Sequence, residues 1–255
     1  VPLNFLRPGQ NASYVDTGVW SRGAVEEARR MGSASVLASG EAAGYAALPA
    51  LDGCALTGDT AYVHTTSNNT IYGTQWQALP VFEGHRHVCD MSSDIFSRSI
   101  EVSDFGLIYA GAQKNAGPAG VTLVIIDKGW MAEGREDVPA IWRYATQAAK
   151  GSTYNTPPVF AIYVVGLVAR WLEEHGGVDA ASARNEAKAE VLYEAMARSG
   201  GMYIPAVSNP SHRSRMNVTW RIADPALEPV FVAEGAAQGL SGLKGHRLVG
   251  GIRAS

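Results

Sequence analysis

Two rhythms of apolar and polar positions run along the chain. Up to about residue 126, short runs of β-branched and apolar residues alternate with helical patterns, which predicts an α/β layer fold around a mostly parallel sheet. Residues 61–65, 87–90, 106–110 and 121–126 read as strands, each followed by polar, Gly-rich or Ser-rich residues. Strands that end in functional loops have that pattern. Ahead of them, 21–31 reads as a helix. Ser21 serves as its cap, Glu26 and Glu27 lie early, Arg29 and Arg30 late, and Gly32 stops it.

The second half is helix-dominated. Pro157-Pro158 precedes a helix over 159–175, ended by Gly176-Gly177, with Phe160, Val164, Leu167, Val168 and Trp171 on one apolar stripe. An Ala- and Glu-rich helix over 180–198 follows. Strands are expected at 216–221 and 247–252, around a third helix over roughly 225–240. The change of rhythm places a domain boundary near 165–178, with the 159–175 helix bridging a large domain (1–170) and a small one (171–255).

Composition narrows the function classes. The 255 residues are 46% hydrophobic and 18% charged, with a formal net charge of −3, which supports a large folded core and gives no basic footprint for nucleic acid. The longest apolar run, 159–169, is too short to cross a membrane. Two cysteines, Cys54 and Cys89, make no disulfide framework, and the opening residues carry no signal-peptide pattern, so a cytoplasmic protein is expected.

Several loops hold residues able to do chemistry. Lys114 lies between glycines and small residues after an apolar strand, where a flat ligand can approach the backbone closely, although most loop lysines are simply solvated. The spacing is not that of a phosphate-binding P-loop. Asp90 ends the run His87-Val88-Cys89-Asp90 and can hold a cationic group or merely terminate a strand. His85 and His87 have metal-ligand spacing but no further ligand beside them. The runs Thr65–Thr70 and Tyr154–Pro158 suit hydrogen bonding to phosphate or carbonyl, and the basic cluster Lys244, His246, Arg247 and Arg253 suits carboxylate or phosphate. No nucleophile elbow or Cys-x-x-Cys pair is present.

Taken together, these loops carry a resemblance. The segments Tyr14-Val15-Asp16-Thr17-Gly18-x-Trp20, Thr66-Ser67-Asn68-Asn69-Thr70 and Asp90-Met91-Ser92-Ser93-Asp94 are similar, in order and spacing, to the pattern of the phosphoserine aminotransferase family. So are Gly111-Ala112-Gln113-Lys114-Asn115-x-Gly117-Pro118-Ala119-Gly120, Asn155-Thr156-Pro157-Pro158 and Gly245-His246-Arg247-x-Val249-Gly250-Gly251-x-Arg253-Ala254-Ser255. The resemblance spans the whole chain. It implies a fold type I, pyridoxal 5'-phosphate-dependent enzyme: a large domain with a seven-stranded, mostly parallel mixed sheet, a small α+β C-terminal domain, and a homodimer with a shared site.

Carried over by motif, Lys114 resembles the catalytic lysine that bonds to the cofactor as a Schiff base and then shuttles a proton. Asp90 resembles the carboxylate on the pyridine nitrogen, Trp20 the stacking aromatic and Thr70 the hydroxyl near the phenolic oxygen. Gln113 resembles a phosphate ligand, with Asn155 and Thr156 reaching the phosphate from the partner subunit. Arg253 resembles the clamp on the substrate carboxylate, and His246 and Arg247 the group binding its distal anion. The implied reaction transfers an amino group between glutamate and 3-phosphohydroxypyruvate, with 4-phosphohydroxythreonine as a further candidate substrate. No metal is implied. Family members have a segment ahead of the Val-Pro-Leu-Asn run and a helical stretch after Arg-Ala-Ser, so the reading expects a chain truncated at both ends, with weakened folding or cofactor binding. Competing readings are a related pyridoxal enzyme acting on another acid, and a non-catalytic homologue that binds a phosphorylated ligand or pairs with an intact subunit.

Overall fold

The computed structural model describes residues 1–255. The chain opens with a short helix α1 (Pro2–Phe5), strand β1 (Asn11–Asp16), helix α2 (Val19–Met31) and strand β2 (Ser33–Ser39). Strands β3 (Thr60–Thr66), β4 (His87–Asp90), β5 (Leu107–Gly111) and β6 (Thr122–Ile126) complete a six-stranded sheet in the order β2-β1-β3-β4-β5-β6. All neighbours are parallel except β5 and β6, which form an antiparallel hairpin around the Lys114 loop. The sheet is thus α/β, mixed and mostly parallel, but six-stranded rather than seven.

Alternation along the central strands explains how this sheet is held. Val88 and Leu107 point into a core with Phe5, Tyr14, Val25 and Trp130, while their neighbours Cys89 and Ile108 point into a second core with Met91, Ile95 and Phe105. Successive strand residues face opposite sides, so a sheet covered on both faces buries both sets. Polar groups are thereby driven to the strand ends, where Asp16, Thr66, Asp90 and Gly111 gather at one edge of the layer.

Helices α3 (Lys128–Ala132), α4 (Tyr144–Ala149), α5 (Val159–Glu174) and α6 (Gly177–Arg198) lead to a second sheet. That sheet is antiparallel, ordered β7 (Tyr203–Pro205), β8 (Val218–Ile222) and β9 (Ile252–Ala254), with helix α7 (Glu228–Ala237) between its last two strands. Its core joins Ala189 and Met196 of α6 to Trp220, Ile222 and Ile252. Helix α6 links the segment after β4 to the second sheet: Asp179 accepts from Ser99 Oγ and Asn185 donates to the Ser97 carbonyl, while its later turns pack on β8.

Four expectations from the sequence need correction. The sequence pattern gave no strand at β1 or β2. Helix α2 begins at Val19 with Gly18 as its cap residue, and Ser21, in its first turn, uses its hydroxyl to accept from the Thr17 and Gly18 amides. The strand expected over 247–252 is mostly a turn, because Gly250 and Gly251 both sit at positive φ and the ladder begins only at Ile252. The stripe on α5 is also turned. Phe160 and Trp171 are 76% and 52% exposed, and only its Val164, Val165 and Val168 side is half-covered. That helix is apolar all round, so its sequence does not single out one buried face.

Candidate functional site

Four loops, after β1, β3, β4 and β5, build the site at the C-terminal ends of the parallel strands, the position where open α/β sheets bind ligands. After β1, buried Asp16 accepts four hydrogen bonds: Gly18 N–H and Ser21 Oγ on Oδ1, Ser39 Oγ and Tyr45 OH on Oδ2. This pins the start of α2 and projects Trp20, whose ring is 47% exposed. The indole N–H donates to Thr70 Oγ1 at 3.2 Å, joining Trp20 to the loop after β3.

After β4, Asp90 Oδ1 accepts from the Ser92 amide at 2.9 Å and the Ser92 hydroxyl at 2.6 Å. The same hydroxyl accepts from the Gly111 amide at 3.0 Å, which ties the β4 end to the β5 end. An aspartate followed two residues later by serine favours this local turn, so Ser92 was findable from sequence although only Asp90 stood out. After β5, the chain coils so that Ala112 O accepts from both Ala116 and Gly117 N–H. Gly117 has φ +155°, and a Cβ there would lie 2.9 Å from Val165, so the loop closes against α5 only with glycine.

Lys114 projects from this loop with Nζ 5.0 Å from the Trp20 ring centroid. Partial desolvation lowers its pKa below the ordinary lysine value; Arg253 acts in the same direction, and Asp90 and Asp94 oppose it. Opposite, Arg253 on β9 donates Nη1 to the Thr70 carbonyl at 3.0 Å. A cavity of about 340 Å³ lies among Thr70, Ser93, Lys114, Asn115, Asn217 and Arg253. Arg253 also lines an adjoining cavity of about 350 Å³, shared with His246, Tyr45 and Tyr72.

The remaining candidates are dispersed. Gln113 is exposed and folds back over Gly111. Arg247 is exposed on the turn before β9 and lines neither cavity. Asn155 and Thr156 lie exposed between α4 and α5 and do not line the cavity that Lys114 borders. His87 is buried, shares a hydrogen bond with Thr65 Oγ1, and is flanked by the rings of Phe82 and Phe105.

The aminotransferase class-V family matches residues 1–255, the full chain. The chain belongs to the class-V aminotransferase family. It is 51% identical over 255 residues to the phosphoserine aminotransferase of Shouchella clausii, covering 69% of that protein. Over 257 residues it is 49% identical to that of Bacillus subtilis, covering 70% of it. Among solved structures, the phosphoserine aminotransferase from Bacillus circulans subsp. alkalophilus superposes with TM-score 0.96 at 47% identity, all of this chain matching 70% of that one. A pyridoxal-phosphate-bound phosphoserine aminotransferase from Trichomonas vaginalis superposes with TM-score 0.92 at 35% identity, covering 72% of that chain.

Class-V aminotransferases depend on pyridoxal 5'-phosphate, and the residues of this site fit that cofactor. The donor set combines an amine of lowered pKa, a carboxylate with one oxygen already organised, and an exposed indole face. In addition, the buried Thr66 hydroxyl, in register beside Asp90, has no partner within the chain. An orphaned buried hydroxyl at a strand end calls for a polar ligand group.

Proposed function

We propose that the protein is a phosphoserine aminotransferase, exchanging the amino group between L-glutamate and 3-phosphohydroxypyruvate to give O-phospho-L-serine and 2-oxoglutarate. One observation carries this: Lys114, Trp20, Thr70 and Arg253 converge on one cavity edge, in a chain half-identical to phosphoserine aminotransferases. The bound cofactor supplies an electrophilic carbonyl and a conjugated ring that delocalises the electron pair left when Cα loses its proton.

The residues of the chain supply the rest. Lys114 Nζ, whose pKa desolvation lowers, takes the Cα proton and returns it. Asp90, its Oδ1 fixed by Ser92, would hold a proton on the cofactor's ring nitrogen. Trp20 would hold the cofactor ring from one face, and Thr70, anchored by the indole N–H, would bond its phenolic oxygen. Arg253 spends one nitrogen on the Thr70 carbonyl and presents the remainder of its guanidinium to the substrate α-carboxylate. His246 in the adjoining cavity, together with Arg247, takes the distal phosphate or carboxylate. Two substrates with an anion at each end fit one such site in turn.

Gln113, Asn155 and Thr156 are assigned to the cofactor phosphate, the last two across a homodimer interface. The exposure of Asn155 and Thr156, just ahead of the uncovered Phe160 at the start of α5, supports that arrangement. The division into a large domain (1–170) and a small one (171–255), a cytoplasmic location, a role in serine biosynthesis and use of 4-phosphohydroxythreonine in vitamin B6 synthesis belong to the same reading. Turnover of a panel of amino donors with 2-oxoglutarate tests it. O-Phospho-L-serine should exceed serine and alanine by at least about 100-fold in kcat/KM, since a site built to bond a substrate group loses that binding with donors lacking it. Equal turnover of unphosphorylated donors would overturn it.

A further inference from the structure

Behind Asp90, on the same face of the sheet, lie a buried histidine and a half-buried tyrosine that the reaction does not itself use. Thr66 pairs with Asp90 and Asp90 with Tyr109 across the parallel strands, so these side chains share a face with His64, two residues before Thr66. His64 Nε2 and the Tyr109 hydroxyl are 2.9 Å apart, and Tyr14 stacks on the imidazole at 4.8 Å. We propose that His64 and Tyr109 are positioning residues, a hydrogen-bonded relay that fixes the Asp90 carboxylate toward the cofactor nitrogen.

The direction of the relay follows from the atom left over. His64 Nδ1 is buried and has no partner. An orphaned buried N–H is rarer and costlier than a bare ring lone pair, so the imidazole proton sits on Nε2 and is donated to the Tyr109 oxygen. Burial holds the imidazole pKa down at about 3, so His64 stays neutral and has one proton to give. The Tyr109 hydroxyl must then donate away from His64, and the carboxylate that the strand pairing sets beside it on that face is Asp90. Burial first, then the Asp90 charge, raise the phenol well above its usual pKa, so it keeps the proton it has to give. Ser92 engages only Oδ1 of that carboxylate, which leaves Oδ2 for Tyr109.

This inference rests on the assignment of Asp90 to the cofactor nitrogen, and the experiment separates the two. Pyridoxal 5'-phosphate is titrated into the cofactor-free protein and its Kd read from visible absorbance. Tyr109→Phe, which keeps the ring, should weaken binding roughly 10-fold, as expected for loss of one hydrogen bond to a charged group. His64→Gln should weaken it less, and the double variant no more than Tyr109→Phe alone. In an Asp90→Asn background Tyr109→Phe should change nothing further. Additive effects, or a wild-type Kd in Tyr109→Phe while Asp90→Asn binds poorly, would overturn the relay. A wild-type Kd in Asp90→Asn would remove the Asp90 assignment and the relay with it. Should Tyr109→Phe not fold, His64→Gln alone and in the Asp90→Asn background carries the same test.

Discussion

Lys114 illustrates how much of this site is decided atom by atom. Its Nζ is held near an indole face, close to one guanidinium and two carboxylates, and desolvation tips the balance toward the neutral amine. Replacing it by arginine keeps the positive charge but removes the option of neutrality. Both Lys114→Ala and Lys114→Arg should therefore lose about 10²–10⁴-fold or more in kcat, with unchanged circular dichroism. A variant retaining a tenth of wild-type turnover would argue against an acid–base role. His64 and His87 make a different prediction. Burial lowers each to a pKa of about 3 in the folded state, against 6.5 for an ordinary histidine. Folded pKa values below the unfolded ones mean stability present above pH 6.5 and lost as pH falls from 6.5 toward 3. Each group contributes about 1.4 kcal/mol per pH unit in that window. His87→Gln should flatten the acid limb of the urea-denaturation free energy by about that slope. An unchanged slope would mean His87 takes up its proton in the folded state.

At the scale of elements, the loop after β3 meets β8 through a glycine. Gly73 has φ +83°, and a Cβ there would stand 2.3 Å from Thr219 Oγ1. Gly73→Ala should lower stability by about 2–4 kcal/mol, from left-handed strain plus the clash. Thr219→Ala should partly relieve it in the double variant, despite losing the Thr219 bond to the Tyr72 carbonyl. Strict additivity in urea melts would show that the contact is not steric. The strands before the Asp90 and Lys114 loops were legible because short apolar runs there end in polar loops, and β4 matches its expected bounds residue for residue. β2 was not legible, because it lies at the sheet edge with mostly exposed, mixed residues. β1 hides behind the polar residues Asn11, Ser13 and Asp16 that its end position requires. Lys114, Asp90, Thr70 and Arg253 lay in loops visible as chemistry-bearing, though single loops gave only weak signals, and Trp20 entered only through the family resemblance. What sequence could not supply was the layer of supporting atoms. The bonds from the Gly111 amide to Ser92 Oγ and from Arg253 to the Thr70 carbonyl join segments that only folding brings together.

Across the whole molecule, the two sheets are joined by a buried amide and hydroxyl cluster. Asn68 donates to Ser93 Oγ at 2.9 Å and Asn217 Oδ1 at 2.7 Å, while Ser214 Oγ donates to Asn68 Oδ1 at 2.5 Å. Its removal leaves several buried partners unsatisfied. Asn68→Ala should cost about 2–4 kcal/mol and raise the KM of the acidic substrate more than it lowers kcat, because Arg253 is set by the same seam. A pure loss of kcat would place the cluster's effect elsewhere. The exposed Phe160 on α5 makes the outward prediction: on the homodimer proposed above, Phe160→Asp should shift sedimentation toward monomer and weaken cofactor binding together, because Asn155 and Thr156 would leave the neighbouring site. The most direct measurement is borohydride reduction of the protein with pyridoxal 5'-phosphate, followed by peptide mapping. The account predicts one modified residue, Lys114, with labelling reduced in Asp90→Asn. Modification at any other lysine, or none with cofactor present, would contradict it.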